Sequence, residues 1–249
     1  MLVPAENVGL SNMQKTQVNN MISANGDLSN IRVGIFGDSI MHGAGNPQDV
    51  PDGYYGIGDI LHELLGLSFD DRCVSGALVE YIEGRDTKAV YQQVDEAIAA
   101  QENYNLIIMD GLSNDIMLGT LGDLTTSFDF LTNGYNDFTS ALEYCFGKLK
   151  TAYPEVPILY VIPHSSLGRD YTAELNFGNR AREICKKWSI PIADVYMRGN
   201  MTARIPQQLQ VFTNYPAETT GTHPNRAGYD FAYIPLILEW MKNIFANIT

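Results

Sequence analysis

Ile31-Arg32-Val33-Gly34-Ile35-Phe36-Gly37-Asp38-Ser39-Ile40 is the stretch on which the fold of this chain turns. Its first six residues are a short, mostly apolar run stopped by Gly37, the pattern of a strand buried on both faces. Similar runs stand at Leu106–Met109 and Val156–Ile162, with weaker ones around Cys73-Val74 and Ile190–Val195. Helical spacing separates them. Asp59–Leu65, Phe138–Leu149 and Ala173–Trp188 carry it, and Thr87–Ala100 places Ala89, Val90, Val94, Ala97 and Ile98 on one face. Pro224 starts a last helix running through Trp240 to Ile248. Strands alternating with helices predict an α/β domain over residues 31–249: a three-layer α/β/α sandwich with a central parallel sheet of about five strands. Residues 1–30 are polar and rich in Asn, Ser and Gln, and read as a linker or helical arm ending at Asn25-Gly26. Such an arm offers a route to a homo-oligomer or to a larger parent polypeptide.

Composition narrows the function. Of 249 residues, 45% are hydrophobic and 18% charged, enough apolar content for a sizeable core. The 16 basic and 29 acidic residues leave a net charge of −13. That field repels phosphate backbones and anionic lipid, so nucleic acid and membrane surfaces are not expected as partners. Cys73, Cys145 and Cys185 form no CxxC or Cys/His pairing, so buried free thiols are expected, with no metal site and no disulfide framework. No run approaches the ~20 apolar residues of a membrane span. No basic region followed by an apolar core marks a secretory signal. The linker-like start suits a cell-surface, secreted or virion-associated module, so an extracellular placement is expected over a cytoplasmic one.

In open α/β sheets ligands bind beyond the carboxyl ends of the strands. The segments found there are Gly37-Asp38-Ser39-Ile40, Val74-Ser75-Gly76-Ala77, Gly111-Leu112-Ser113-Asn114-Asp115 and Pro163-His164-Ser165-Ser166, with Thr222-His223-Pro224 before the last helix. Two long connections, Met117–Asn136 and Arg198–Thr222, have the length of lids or binding loops.

These segments, in this order, resemble the SGNH (GDSL-like) hydrolases, named for Ser, Gly, Asn and His in four sequence blocks. The blocks here are Gly37-Asp38-Ser39-Ile40, Val74-Ser75-Gly76, Ser113-Asn114-Asp115 and His223-Pro224. The resemblance covers residues 31–248 and implies the flavodoxin-like fold of that family and a serine esterase without a cofactor. It makes Ser39 the nucleophile and His223 its base, with Ser39 N–H, Gly76 N–H and the Asn114 amide as oxyanion donors. The chemistry suits those residue types. A hydroxyl needs a base to become a nucleophile, and the charge developing on a carbonyl oxygen needs fixed donors.

The sequence departs from the family twice. Leu112 occupies the glycine place of the third block, with Gly111 one residue earlier. Thr220 stands three residues before His223, where the family has an aspartate to orient the imidazole. Thr220 itself, Glu218 or a backbone carbonyl is then left to hold the ring. The alternative is a weakened or inactive module that binds carbohydrate without cleaving it. His42 and His164 are further candidates for substrate contact. Asp38, Asp115 and Asp194 read as acceptors for loop N–H groups, and His62 as structural. The expected substrate is a small-molecule or carbohydrate ester, an O-acetyl group foremost.

Overall fold

The computed structural model describes residues 28–45 and 54–245. Its centre is a parallel sheet of β1 (Arg32–Phe36), β2 (Ser68–Asp71), β3 (Leu106–Met109), β4 (Ile158–Ile162) and β5 (Ile192–Asp194), in the order β2-β1-β3-β4-β5. Side chains along the inner strands alternate between two cores, as the pleat requires. Val33, Ile35, Ile108, Leu159 and Val161 face one core, and Phe36, Ile107, Met109, Tyr160 and Ile162 the other.

Helices cover both faces. The short α1 (Ser39–His42) and α2 (Ile57–Leu65) pack on the first face, and α3 (Val90–Ala99) on the second. After α4 (Asp115–Leu118) and α5 (Phe130–Asn133), the second face is completed by α6 (Phe138–Ala152) and α7 (Tyr171–Trp188). The chain then passes through α8 (Val195–Arg198), α9 (Pro206–Phe212) and α10 (Arg226–Gly228). A π-helical turn, Tyr229–Tyr233, leads into α11 (Ile234–Phe245), which closes the first face. The three-layer sandwich and its five parallel strands are thus as the sequence predicts. The strand order reverses between β1 and β3, so the loops after these two strands flank a crevice at the switch point.

Several boundaries differ from expectation. The second strand is Ser68-Phe69-Asp70-Asp71, not Cys73-Val74. It lies at the sheet edge with partly exposed residues, so it lacks the apolar run that betrays a central strand. Cys73 and Val74 form the turn behind it, where Asp71 accepts the Cys73 N–H at 2.8 Å. The two long connections carry α5 and α9 and are not structureless. The last helix starts at Arg226, two residues past Pro224, because the Asn225 side chain accepts the Gly228 N–H and caps it. Of the proposed arm, residues 1–30, the first 27 lie outside the described residues, and Leu28 is buried in the first core. The three cysteines are buried and free, as expected.

Asp38, Asp110 and Asp115 are fully buried at the carboxyl ends of β1 and β3. Burial pushes the Asp115 carboxyl up to about 8, although the Val79 N–H donates to it at 2.9 Å. Glu80 is likewise raised to about 7 by burial. A carboxyl whose folded pKa lies above its unfolded value stabilises most when protonated, and that contribution fades as pH rises through the folded pKa. The Tm should therefore fall by several degrees between pH 6.5 and pH 8, at roughly 2–4 °C per kcal/mol for a chain of this size. Asp115→Asn should flatten the slope. Calorimetry showing a flat or rising Tm across that window would contradict this account.

Candidate active site

The loop leaving β1 bends sharply. Gly37 has φ +155°, and a Cβ there would sit 2.0 Å from an Asp110 carboxylate oxygen, so only glycine fits. The buried Gln93 side chain clamps this glycine, accepting its N–H and donating to its carbonyl, both at 2.9 Å. Asp38 N–H donates to Asp110 at 3.1 Å, and the Asp38 carboxylate caps α1 by accepting the Ile40 N–H at 2.8 Å. Ser39 is the first helical residue. Its backbone N–H makes no hydrogen bond among the described residues, as expected at a helix start.

Across the crevice, His223 Nε2 lies 2.8 Å from Ser39 Oγ. His223 Nδ1 lies 2.6 Å from Glu218. The carboxylate missing at position 220 is therefore supplied from five residues before the histidine instead of three. The loop makes this work by folding Glu218 back on itself. Its Oε1 accepts the Thr222 N–H at 2.8 Å and the Thr220 hydroxyl, and its Oε2 also accepts the His223 N–H at 3.3 Å. Burial alone would raise the Glu218 pKa. The bonds from His223, Thr220 and Thr222 outweigh it and hold the group at about 2. Glu218 is ionised at neutral pH, so the proton between it and His223 resides on Nδ1, leaving Nε2 to accept from the Ser39 hydroxyl. Thr220 does not orient the imidazole, a correction to one of the sequence candidates. Its hydroxyl donates to Glu218.

His164 also requires correction. It is 1% exposed, with Nδ1 2.7 Å from the Tyr233 hydroxyl and Nε2 2.8 Å from the Gly221 carbonyl. Burial lowers its pKa to about 4, so the ring is neutral. It braces the turn before His223 from below and cannot reach a substrate. His42 lies at the end of α1 with Nδ1 2.6 Å from Asp71 and its ring tilted 35° against that of Tyr54, centroids 3.9 Å apart. These contacts tie α1 to the end of β2.

Gly76 adopts φ +82°, and a Cβ there would meet only ordinary contacts, Arg85 at 3.5 Å and Thr87 at 3.9 Å, so the requirement there is conformational. Its carbonyl accepts from Arg85 at 2.6 Å, while its N–H makes no hydrogen bond among the described residues. Asn114 precedes α4 and donates through Nδ2 to the Ala77 carbonyl at 2.8 Å and to Asp38 at 3.1 Å. One amide thus joins the loops of the first three blocks. Sequence reasoning missed Gln93 and Arg85, which set the backbone of Gly37 and Gly76. A buried glutamine on the apolar face of α3 is the one signal that could have found either. Asp115 accepts a loop N–H, that of Val79, as expected, whereas the N–H that Asp38 accepts belongs to Ile40 within α1; Asp194 caps α8.

Structural comparison finds the same fold elsewhere. A carbohydrate acetylesterase from Sinorhizobium meliloti, Est24, superposes with a TM-score of 0.57 at 13% identity, covering 86% of this chain and 99% of that one. A lipase/acylhydrolase from Enterococcus faecalis gives 0.56 at 15% identity, covering 86% and 96%. The aryl esterase of M. smegmatis gives 0.56 at 12% identity, covering 86% and 99%. No curated protein sequence matches the chain. The sequence profile of the GDSL-like lipase/acylhydrolase family matches residues 35–231, which is most of the chain and spans the blocks of Ser39, Gly76, Asn114 and His223. The chain is an ester hydrolase and belongs to the GDSL-like lipase/acylhydrolase family.

Proposed function

We propose that Ser39, His223 and Glu218 form a catalytic triad that removes a short acyl group, an O-acetyl group on a carbohydrate, from its alcohol. The observation that carries this reading is the unbroken line Ser39 Oγ–His223 Nε2 and His223 Nδ1–Glu218, at 2.8 and 2.6 Å. Ser39 Oγ attacks the carbonyl carbon as its proton passes to His223 Nε2, and the imidazolium that forms is stabilised by Glu218. The proton then goes to the leaving alcohol oxygen. Water, activated by the same imidazole, releases the acid and restores Ser39. The N–H groups of Ser39 and Gly76 are the donors for the developing oxyanion. The acetyl and carbohydrate parts draw support from Est24 of Sinorhizobium meliloti, a carbohydrate acetylesterase of the same fold. The non-catalytic alternative drew on the missing carboxylate, and Glu218 removes that motive. A fluorophosphonate probe should label the protein on Ser39, and unlabelled, folded protein would overturn the reading.

Asn114 is proposed as the third oxyanion donor. Of its two amide bonds, the longer one to Asp38 is the one that turns to the substrate oxygen as charge develops. Asn114→Ala should lower kcat by about 10²–10³ with little change in KM. A loss confined to KM in steady-state assays would make it a ground-state contact instead.

A further inference from the structure

Arg169 lies on the loop after β4, and the triad as described makes no use of it. The residue is 5% exposed, its Nε is wholly buried without an acceptor, and its guanidinium makes no hydrogen bond or ion pair with any described residue. A buried guanidinium whose Nε donor has no acceptor is costly and calls for one. The neighbouring basic side chain, by contrast, has acceptors for its Nε and Nη2. Arg204 donates to Ser165, to Glu174 and to the Arg169 carbonyl at 2.8, 3.0 and 2.7 Å.

Its backbone is fixed beside the triad. Gly168 N–H donates to the Thr220 carbonyl at 3.1 Å, and Ser166 Oγ donates to the same carbonyl at 3.0 Å. A Cβ on Gly168 would lie 2.8 Å from that of Thr220, so nothing larger than glycine separates the two loops. The guanidinium lies within electrostatic reach of Asp38, beside the nucleophile, and of Glu218. Both carboxylates are engaged elsewhere: Asp38 by Ile40 and Asn114, Glu218 by Thr220, Thr222 and His223. Neither forms an ion pair with Arg169.

We propose that Arg169 is a specificity-determining residue whose guanidinium receives a carboxylate carried by the ester substrate. This rests on the esterase reading above. A planar monoanion matches the guanidinium fork, whereas a tetrahedral dianion would suffer more from Asp38 and Glu218 close by. The carboxylate could belong to the acyl half or to the alcohol half, and paired substrates separate the two. For the alcohol half the pair is 4-acetoxybenzoate and its methyl ester. For the acyl half it is 4-nitrophenyl hydrogen succinate and its methyl ester. With kcat/KM corrected for hydroxide-catalysed rates, the wild-type protein should favour the carboxylate of one pair at least about tenfold. Arg169→Met should bring that ratio to near one, and Arg169→Lys, which keeps the charge without the fork, should fall between. Wild-type protein with no preference in either pair would overturn the proposal, even if neither variant folds. So would a preference that survives Arg169→Met. Ser39-dependent hydrolysis of the neutral esters without carboxylate preference removes the Arg169 role alone. Hydrolysis that persists in Ser39→Ala removes the esterase reading itself.

Discussion

Ser39→Ala is expected to lower kcat on p-nitrophenyl acetate by about 10⁶, with circular dichroism unchanged. Loss of the nucleophile in a triad enzyme costs about as much as loss of the whole triad. What remains is ~10³–10⁴ over water from oxyanion donors and binding. The fold should survive because Ser39 Oγ has a single partner among the described residues, His223 Nε2. The cap of α1 is held by Asp38 and not by Ser39, and Gln93 holds Gly37 independently. The mutation therefore removes one hydroxyl from a scaffold that does not lean on it. Turnover within tenfold of wild type, with the fold intact, would remove Ser39 from the chemistry. Stopped-assay rates and probe labelling should fall together, since both need the same activated oxygen.

The inner strands were legible in the sequence because both faces of each are buried, which forces a continuous apolar run. The edge strand Ser68–Asp71 was not, since an edge needs only partial burial and its Asp70 and Asp71 serve side-chain bonds. Ser39, Gly76, Asn114 and His223 could be named in advance because their four blocks stand in the order of the SGNH hydrolases they resemble, and the Ser39 and Asn114 blocks also lie just beyond apolar strands. Glu218 could be named only as one candidate among three. Its contact with His223 depends on how residues 218–223 coil back, and Gly221 at φ +66° is part of that coil. Spacing rules do not reveal such a turn. His164 failed for the opposite reason. Its place after β4 is where ligand residues gather, but Tyr233 and the Gly221 carbonyl, distant in sequence, take both its nitrogens.

Glu218→Gln is expected to reduce kcat by about 10⁴, the effect of converting the orienting carboxylate of a serine protease triad to an amide. The local network explains why an isosteric change is so severe here. Each Glu218 oxygen accepts two donors: Thr220 and Thr222 on Oε1, and the His223 N–H and Nδ1 on Oε2. An amide offers one acceptor oxygen and one NH₂, so one of these pairs must face a donor. If the NH₂ takes the Oε2 place, it donates to Nδ1 and moves the ring proton to Nε2, which can then no longer accept from Ser39. If it takes the Oε1 place, it meets the Thr222 N–H and the loop shifts. In both arrangements the imidazolium loses its counter-charge. Thr220→Asp gives the complementary result. A second carboxylate beside Glu218 adds repulsion and removes a hydroxyl donor, so kcat should rise by less than about twofold or fall. Had His223 lacked an orienting carboxylate, the same substitution would lower the barrier by roughly 1.4 kcal/mol, a tenfold gain. A tenfold gain from Thr220→Asp, together with an unchanged kcat in Glu218→Gln, would show that the Glu218–His223 bond does not serve catalysis.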